Sequence, residues 1–146
     1  MASTTSNNEI KTIYHQSGFH LKYSKTNGKL GNVIFLHGLM SDMNGTKALE
    51  LESYAKNRDL GYIRFDCRGH GQSSGRFEDF GIDDWSDDAS LIIDKLTEGP
   101  QILIGSSMGG WSMLLAALKN SSRVAGLIGI AAAPDFTHNE NWKNLI

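Results

Sequence analysis

Cysteine is nearly absent from this chain: one residue, Cys67, in 146. A lone cysteine excludes an internal disulfide and suits a reducing compartment. Charge of one sign is also missing. Net charge is −2, and no Lys/Arg cluster occurs. Nucleic acid and acidic membrane surfaces are therefore not expected partners. Long apolar runs are missing too. The longest nearly apolar stretch, Val124–Ala133, is far too short to span a bilayer. Met1–Asn8 is small and polar. It has neither the apolar centre of a signal peptide nor the arginines of a transit peptide, and reads as a flexible tail. These features together lead to an expectation of a cytoplasmic protein.

Other absences narrow the chemistry. The five histidines, at 15, 20, 37, 70 and 138, lack paired metal-ligand spacing, so no metal is expected. No Gly-Lys-Ser/Thr phosphate loop occurs. The stretch Arg68-Gly69-His70-Gly71-Gln72-Ser73 resembles a dinucleotide fingerprint only superficially. Ser74 stands where the third glycine is needed, and no helical pattern starts there. No cofactor is expected, and a tight turn bracing a neighbouring loop is the better account. Repeats, low-complexity stretches and interdomain linkers are also lacking. Residues 9–146 read as part of one domain, with 40% hydrophobic and 21% charged residues.

What is present reads as alternating strands and helices. Ile10–Gln16 and Phe19–Ser24 predict a hairpin turning at Ser17-Gly18. Thr26-Asn27-Gly28-Lys29 is a further turn. Val33–Leu36 predicts a strand running into His37-Gly38. Lys47–Asn57 predicts a helix with Ala48, Leu51 and Ala55 inward. Tyr62–Phe65 predicts the next strand, ending at Asp66. Asp83 or a neighbour caps a helix to about Leu96, with Trp85, Ala89, Ile92, Ile93 and Leu96 on its apolar face. The acidic group Asp83, Asp84, Asp87 and Asp88 reads as complementing that helix start rather than binding metal. Val124–Ala133, apolar on both faces, predicts an interior strand of a parallel sheet. The sum is a doubly wound, mostly parallel α/β sheet.

The most informative residues are Gly105-Ser106-Ser107-Met108-Gly109. The apolar run Ile102–Ile104 precedes them. A helical pattern with Trp111, Leu114, Leu115 and Leu118 on one face follows. A G-x-S-x-G sequence between strand and helix forms a sharp elbow that exposes and aims its serine, here Ser107. Acyl transfer also needs two N–H groups aimed at the developing oxyanion. Met108 follows the nucleophile and supplies one. Leu39, in His37-Gly38-Leu39-Met40, is the candidate for the other. His37 reads as orienting that loop rather than carrying protons. Cys67 reads as a small buried residue. Met40, Met43, Met108 and Met113 could line an acyl pocket, although Met113 could equally be core.

Three stretches together resemble the α/β-hydrolase superfamily. They are Phe35–Ala48 (FLHGLMSDMNGTKA), Ile63–Asp66 (IRFD) and Gly99–Trp111 (GPQILIGSSMGGW). The closer similarity is to its serine esterase and acyl-protein thioesterase branch, the palmitoyl-protein thioesterase and mycophenolic acid acyl-glucuronide esterase group. The resemblance implies cleavage of carboxylic esters or thioesters through a Ser-His-Asp triad and an acyl-enzyme. In this fold the triad runs Ser, then Asp or Glu, then His, with the acid and base on loops after later strands. After Ser107 the chain offers Asp135, Glu140 and His138. Asp135 directly follows the last predicted strand and is the candidate acid. His138, three residues on, is the candidate base, but no later strand returns it to the elbow. The expectation is an N-terminal portion of a hydrolase lacking the C-terminal strands, with acid and base absent. Its partners would be the acylated or small-molecule substrate, and either a complementing C-terminal segment or a second copy at the last strand. A non-catalytic piece acting as an interaction module, or as half of a split enzyme, is the alternative.

Overall fold

A computed structural model describes residues 8–135. The chain alternates in period between 2 and 3.6, and the elements follow. Strands β1 (Lys11–Tyr14), β2 (His20–Thr26) and β3 (Asn32–Leu36) come first. Helix α1 (Thr46–Asn57), strand β4 (Gly61–Phe65) and helix α2 (Ile82–Leu96) come next. Strand β5 (Gln101–Ser106), helix α3 (Met108–Lys119) and strand β6 (Val124–Ile130) complete the described part. They form one six-stranded sheet in the order β1-β2-β4-β3-β5-β6. The β1–β2 and β2–β4 pairings are antiparallel, and β4, β3, β5 and β6 run parallel. Crossovers through α1, α2 and α3 cover both faces, as parallel strands require.

Alternation along the central strands divides the core. Ile34, Leu36, Ile63, Phe65 and Leu103 face α2 and α3 and pack on Trp85, Ala89, Ile92, Ile93, Met113 and Ala116. Phe35, Tyr62 and Ile104 face the other way, onto Ala48 and Ala55 of α1. Arg64 points to the α1 side as well and is 1% exposed. Its Nε donates to Glu52 Oε2 at 2.8 Å, and its Nη1 donates to Met43 O and Asn44 Oδ1. A buried arginine is tolerable because a carboxylate pairs with its charge and two further acceptors take its Nη1 donors.

Several expectations need correction. Asn8, assigned to the tail, donates through its side-chain amide to Thr26 Oγ1 at 2.7 Å; Met1–Asn7 lie outside the described residues. Helix α2 is capped at Gly81, whose N–H donates to Asp84 Oδ2 at 2.9 Å. Asp88 is not a cap at all. It is fully buried and accepts both the N–H and the Nε–H of Arg68, each at 2.7 Å. Strand β6 ends at Ile130 rather than Ala133, because Ala131 turns left-handed at φ 47°. Nor is it interior among the described residues: it pairs with β5 alone, leaving Leu127 42% and Ile128 49% exposed. The apolar face of α3 named above also points outward, with Leu118 79% exposed. The buried face is Met108, Gly109, Gly110, Ser112, Met113 and Ala116. Backbone contact at the elbow sets that rotation. A Cβ on Gly105 would meet Gly109 O at 2.3 Å, and one on Gly110 would meet Ala132 Cβ at 2.4 Å. The small-residue face therefore lies against the sheet.

Candidate active site

Ser107 occupies the single-residue joint between β5 and α3, at φ 54° and ψ −119°. Almost no residue but glycine adopts this conformation without strain, so the surroundings must impose it. Two hydrogen bonds from the end of β6 do so. Ser107 N–H donates to Ile130 O at 3.1 Å, and Ala133 N–H donates to Ser107 O at 3.0 Å. The side chain stands exposed at the carboxyl edge of the parallel strands, while Met108 directly after it is fully buried. The Met108 N–H is the first of α3 and has no acceptor within the helix. It carries the positive end of the helix dipole.

The loop after β3 lies against this elbow. A Cβ on Gly38 would sit 3.4 Å from Ser107 Cβ and 3.5 Å from Ser106 O. Ser41 N–H donates to Gly38 O at 3.1 Å, closing a turn over Leu39 and Met40. Leu39 packs its side chain on the main core, whereas Met40 is 62% exposed at φ 58°. Leu39, Met108 and Ser107 thus come from neighbouring strand ends. Beside them, a cleft of about 190 Å³ lies between Ser106 and the loop, lined by His37, Asp42, Thr46 and Lys47 over Phe35 and Ala48. A wider cleft of about 500 Å³ lies at the other end of the strands, near Asn32 and Gln101, away from the elbow.

His37 is 1% exposed, with both ring nitrogens engaged. Nε2 accepts the Cys67 N–H at 3.0 Å, and Nδ1 donates to Gly38 O at 2.8 Å. Burial, helped by the neighbouring His70, outweighs the upward pull of the Gly38 hydrogen bond and lowers its pKa to about 4, so the ring is neutral at pH 7. It ties the Gly38 turn to the chain after β4. Cys67 is completely buried, and that burial raises its thiol well above the ordinary range. It is packing, not a nucleophile. Met43, Met108 and Met113 are core residues as well. Of the four candidate acyl-pocket methionines only Met40 reaches the surface.

The glycine-rich turn after β4 braces the loop after β3. Burial raises the Asp66 carboxyl, while hydrogen bonds from the Gln72 and Met43 N–H groups pull it back down. Those bonds, at 3.0 and 2.8 Å, join the two loops through one carboxylate. Gly71 is required there, since a Cβ would lie 2.2 Å from Asp66 Oδ2 and its φ is +50°. His70 adds a second tie by accepting the Met40 N–H at 3.0 Å. Sequence reasoning saw the brace but not its residues. The only signal was a buried-strand pattern ending in Asp66-Cys67-Arg68-Gly69-His70.

Asp135 is exposed at φ 59°, just past β6. His138 and Glu140 lie outside the described residues. No group of three His, Cys, Asp or Glu side chains among the described residues is arranged to hold a metal ion.

A strand–elbow–helix presenting a strained, exposed serine in a mixed sheet defines an alpha/beta hydrolase. The profile of the alpha/beta hydrolase fold family matches residues 31–146, and the chain belongs to that family. It is similar to the palmitoyl-protein thioesterase ABHD10, mitochondrial, of Bos taurus and of Homo sapiens. Each is 47% identical over 116 residues, which cover 80% of this chain and 38% of the relative. The crystal structure of a putative hydrolase from Agrobacterium vitis S4 matches with a TM-score of 0.84 and 35% identity, over 92% of this chain and 56% of that one. Alpha/beta hydrolase domain-containing protein 10 from mouse matches with a TM-score of 0.82 and 40% identity, over 85% and 50%. The chain therefore spans about two fifths of the curated relatives and about half of the solved structures.

The cytoplasmic expectation is overturned by these relatives, which carry mitochondrial names. Its basis was thin: a single buried cysteine does not tell one reducing compartment from another.

Proposed function

We propose that this chain carries the nucleophile and oxyanion-binding half of a serine hydrolase. It would act on acyl thioesters or carboxylic esters in the mitochondrion. The observation that carries this reading is the exposed Ser107 at φ 54°, with the Gly38 turn against it. Ser107 Oγ attacks the acyl carbon and its proton passes to a base. The Leu39 and Met108 N–H groups stabilise the resulting oxyanion. Collapse expels the thiol or alcohol and leaves an acyl-enzyme, which water then cleaves. The names and identities of the ABHD10 relatives support a palmitoyl-type thioester as substrate class.

The base does not come from residues 8–135. His37 and His70 have both ring nitrogens committed to backbone groups. His15 and His20 belong to the β1–β2 hairpin and bond Ser17 and Ser74. The triad histidine then comes either from His138, the candidate base outside the described residues, or from a complementing C-terminal segment, with Asp135 the candidate acid within the described part. A second reading, a non-catalytic piece acting through β6, is favoured by the exposed Leu127 and Ile128.

Labelling with a fluorophosphonate decides between them. Tagging of Ser107 after adding the C-terminal half of the relatives' fold supports the first reading. No tagging, in a complex shown by size to have formed, supports the second.

A further inference from the structure

His70 sits where the two loops beside Ser107 meet. Its backbone belongs to the turn after β4, and its ring reaches across to the turn after β3. Nε2 accepts the Met40 N–H at 3.0 Å, and Nδ1 donates to Arg68 O at 3.1 Å. An N–H pointing at Nε2 requires a lone pair there, so the proton sits on Nδ1. The ring is 4% exposed and is walled edge-on by Phe77 and Trp85, with His37 4.8 Å away.

Met40 needs such a hold. It is a non-glycine residue at φ 58°, and its side chain is 62% exposed. Its own packing therefore does not keep it there. The Met40 N–H lies in the peptide plane that begins at Leu39, so fixing it also fixes the backbone beside the Leu39 N–H.

We propose that His70 is a positioning residue for the oxyanion loop: its neutral Nε2 holds the Leu39–Met40 peptide, and protonation of that nitrogen releases it. The catalytic consequence rests on the serine-hydrolase reading above; the hydrogen bond does not. The groups facing the ring are His37 at the end of β3, Asp42 in the following loop, Asp66 at the end of β4 and Arg68 in its own turn. Phe77 and the α2 residue Trp85 are uncharged. The Arg68 guanidinium is drawn away to Asp88 and Asp84. Burial outweighs the hydrogen bond to Arg68 O and the pull of Asp66 and Asp42, and lowers the His70 pKa below 6.5, which keeps the acceptor available at pH 7.

Amide hydrogen exchange of the full chain, read by mass spectrometry over residues 38–43, tests this. His70→Phe keeps an aromatic ring against Phe77 and Trp85 but offers no acceptor. The Met40 amide should then exchange roughly tenfold faster while the strands keep their protection. His70→Gln restores a carbonyl acceptor and should recover most of that protection. In the wild-type chain, protection of Met40 corrected for intrinsic rates should fall faster than that of the strand amides as pH drops below 6.5, and His70→Gln should remove that excess. The wild-type series needs no variant, so misfolding of either variant leaves the test intact. Protection of Met40 that ignores pH, or that survives in His70→Phe, overturns the proposal. Expected exchange behaviour together with a Ser107 that stays unlabelled by fluorophosphonate in a formed complex with the C-terminal half of the relatives' fold supports the positioning role and counts against the hydrolase reading instead.

Discussion

Gly109 rests directly on Leu36: a Cβ at Gly109 would lie 2.1 Å from the Leu36 carbonyl oxygen and 2.6 Å from that of His37. The first turn of α3 thus touches the carboxyl end of β3, which joins the Ser107 elbow to the loop after β3 with no side chain between them. Gly109→Ala must push these backbones apart. It should destabilise the chain by about 1–3 kcal/mol or more in urea unfolding, since the neighbouring atoms are backbone and cannot rotate away. Gly126→Ala is the control. Its nearest neighbour would be Ile102 Cγ1 at 4.0 Å, and it should change stability by less than about 0.5 kcal/mol.

Ser107→Ala, in the chain complemented by the C-terminal half of the relatives' fold, should remove nearly all p-nitrophenyl ester turnover. Loss of a triad serine costs on the order of a millionfold in turnover. Ser106→Ala should be far milder, because Ser106 ends β5 and does not occupy the strained joint. Activity of Ser107→Ala within about tenfold of wild type would assign the nucleophile elsewhere.

The Arg64–Glu52 pair holds the far side of the loop after β3. Both residues are almost fully buried, and Arg64 also donates to Met43 O. Arg64→Met should cost about 3–5 kcal/mol, because the Glu52 carboxylate and the Met43 carbonyl lose a donor in a place water does not reach. Replacing both partners, Arg64→Met with Glu52→Leu, should cost less than Arg64→Met alone. A double-mutant cycle in chemical denaturation reads this directly. A double-mutant cost equal to the sum of the two single costs would mean that the pair is not coupled.

The contrast between Ser107 and Arg64 shows what was legible in the sequence. The elbow is local: strand, glycines and helix lie within about one turn of each other, so the pattern could be read from neighbours alone. Strand alternation was local too, which is why β3, β4, β5 and the helix boundaries lie within a residue or two of expectation. Arg64 in a strand reading Tyr-Ile-Arg-Phe gave no sign of being buried, because its partner Glu52 comes from α1. Asp88 looked like one of four cap carboxylates for the same reason; its partner Arg68 is twenty residues away in another loop. The outward rotation of Leu114 and Leu118 was hidden because close backbone approach at Gly105, Gly109 and Gly110, not side-chain hydrophobicity, sets how α3 sits.

Acid should weaken the fold through His37. Its native pKa is about 4 against an ordinary 6.5, so below pH 6.5 the unfolded chain takes up a proton that the folded chain refuses. The His37 contribution is therefore fully present above pH 6.5 and is lost as pH drops toward 4, by about 3 kcal/mol over that window. His70 is shifted in the same direction and adds to the loss. Asp66 is raised, and burial pushes Asp88 up to about 7, so both take a proton more readily when folded and oppose the His37 loss over the same window. Urea midpoints across this pH range check the slope. His37→Gln, which cannot titrate, should be less stable near neutrality but show a shallower acid limb. An unchanged limb would place the titrating group elsewhere.

Strand β6 is the surface on which the chain should associate. Its sequence, Val-Ala-Gly-Leu-Ile-Gly-Ile, is apolar on both faces, and it pairs with β5 on one side only among the described residues. Leu127, Ile128, Leu114 and Leu118 are 42%, 49%, 37% and 79% exposed. Such an edge offers a row of backbone donors and acceptors together with apolar cover for an incoming strand. Each large side chain buried there would contribute up to roughly 1.5–3 kcal/mol, comparable with the whole stability of a small domain, about 5–15 kcal/mol. The 146-residue chain should therefore run larger than a monomer in size-exclusion chromatography with light scattering, in a concentration-dependent way. Leu127→Glu with Ile128→Lys places charge on both faces of the edge and should shift it toward monomer. The C-terminal half of the relatives' fold, added in trans, should also displace the self-associated species, because it competes for the same edge. A monomeric chain with a sharp, cooperative melt would show instead that β6 tolerates its exposure and that the described part is a self-sufficient domain.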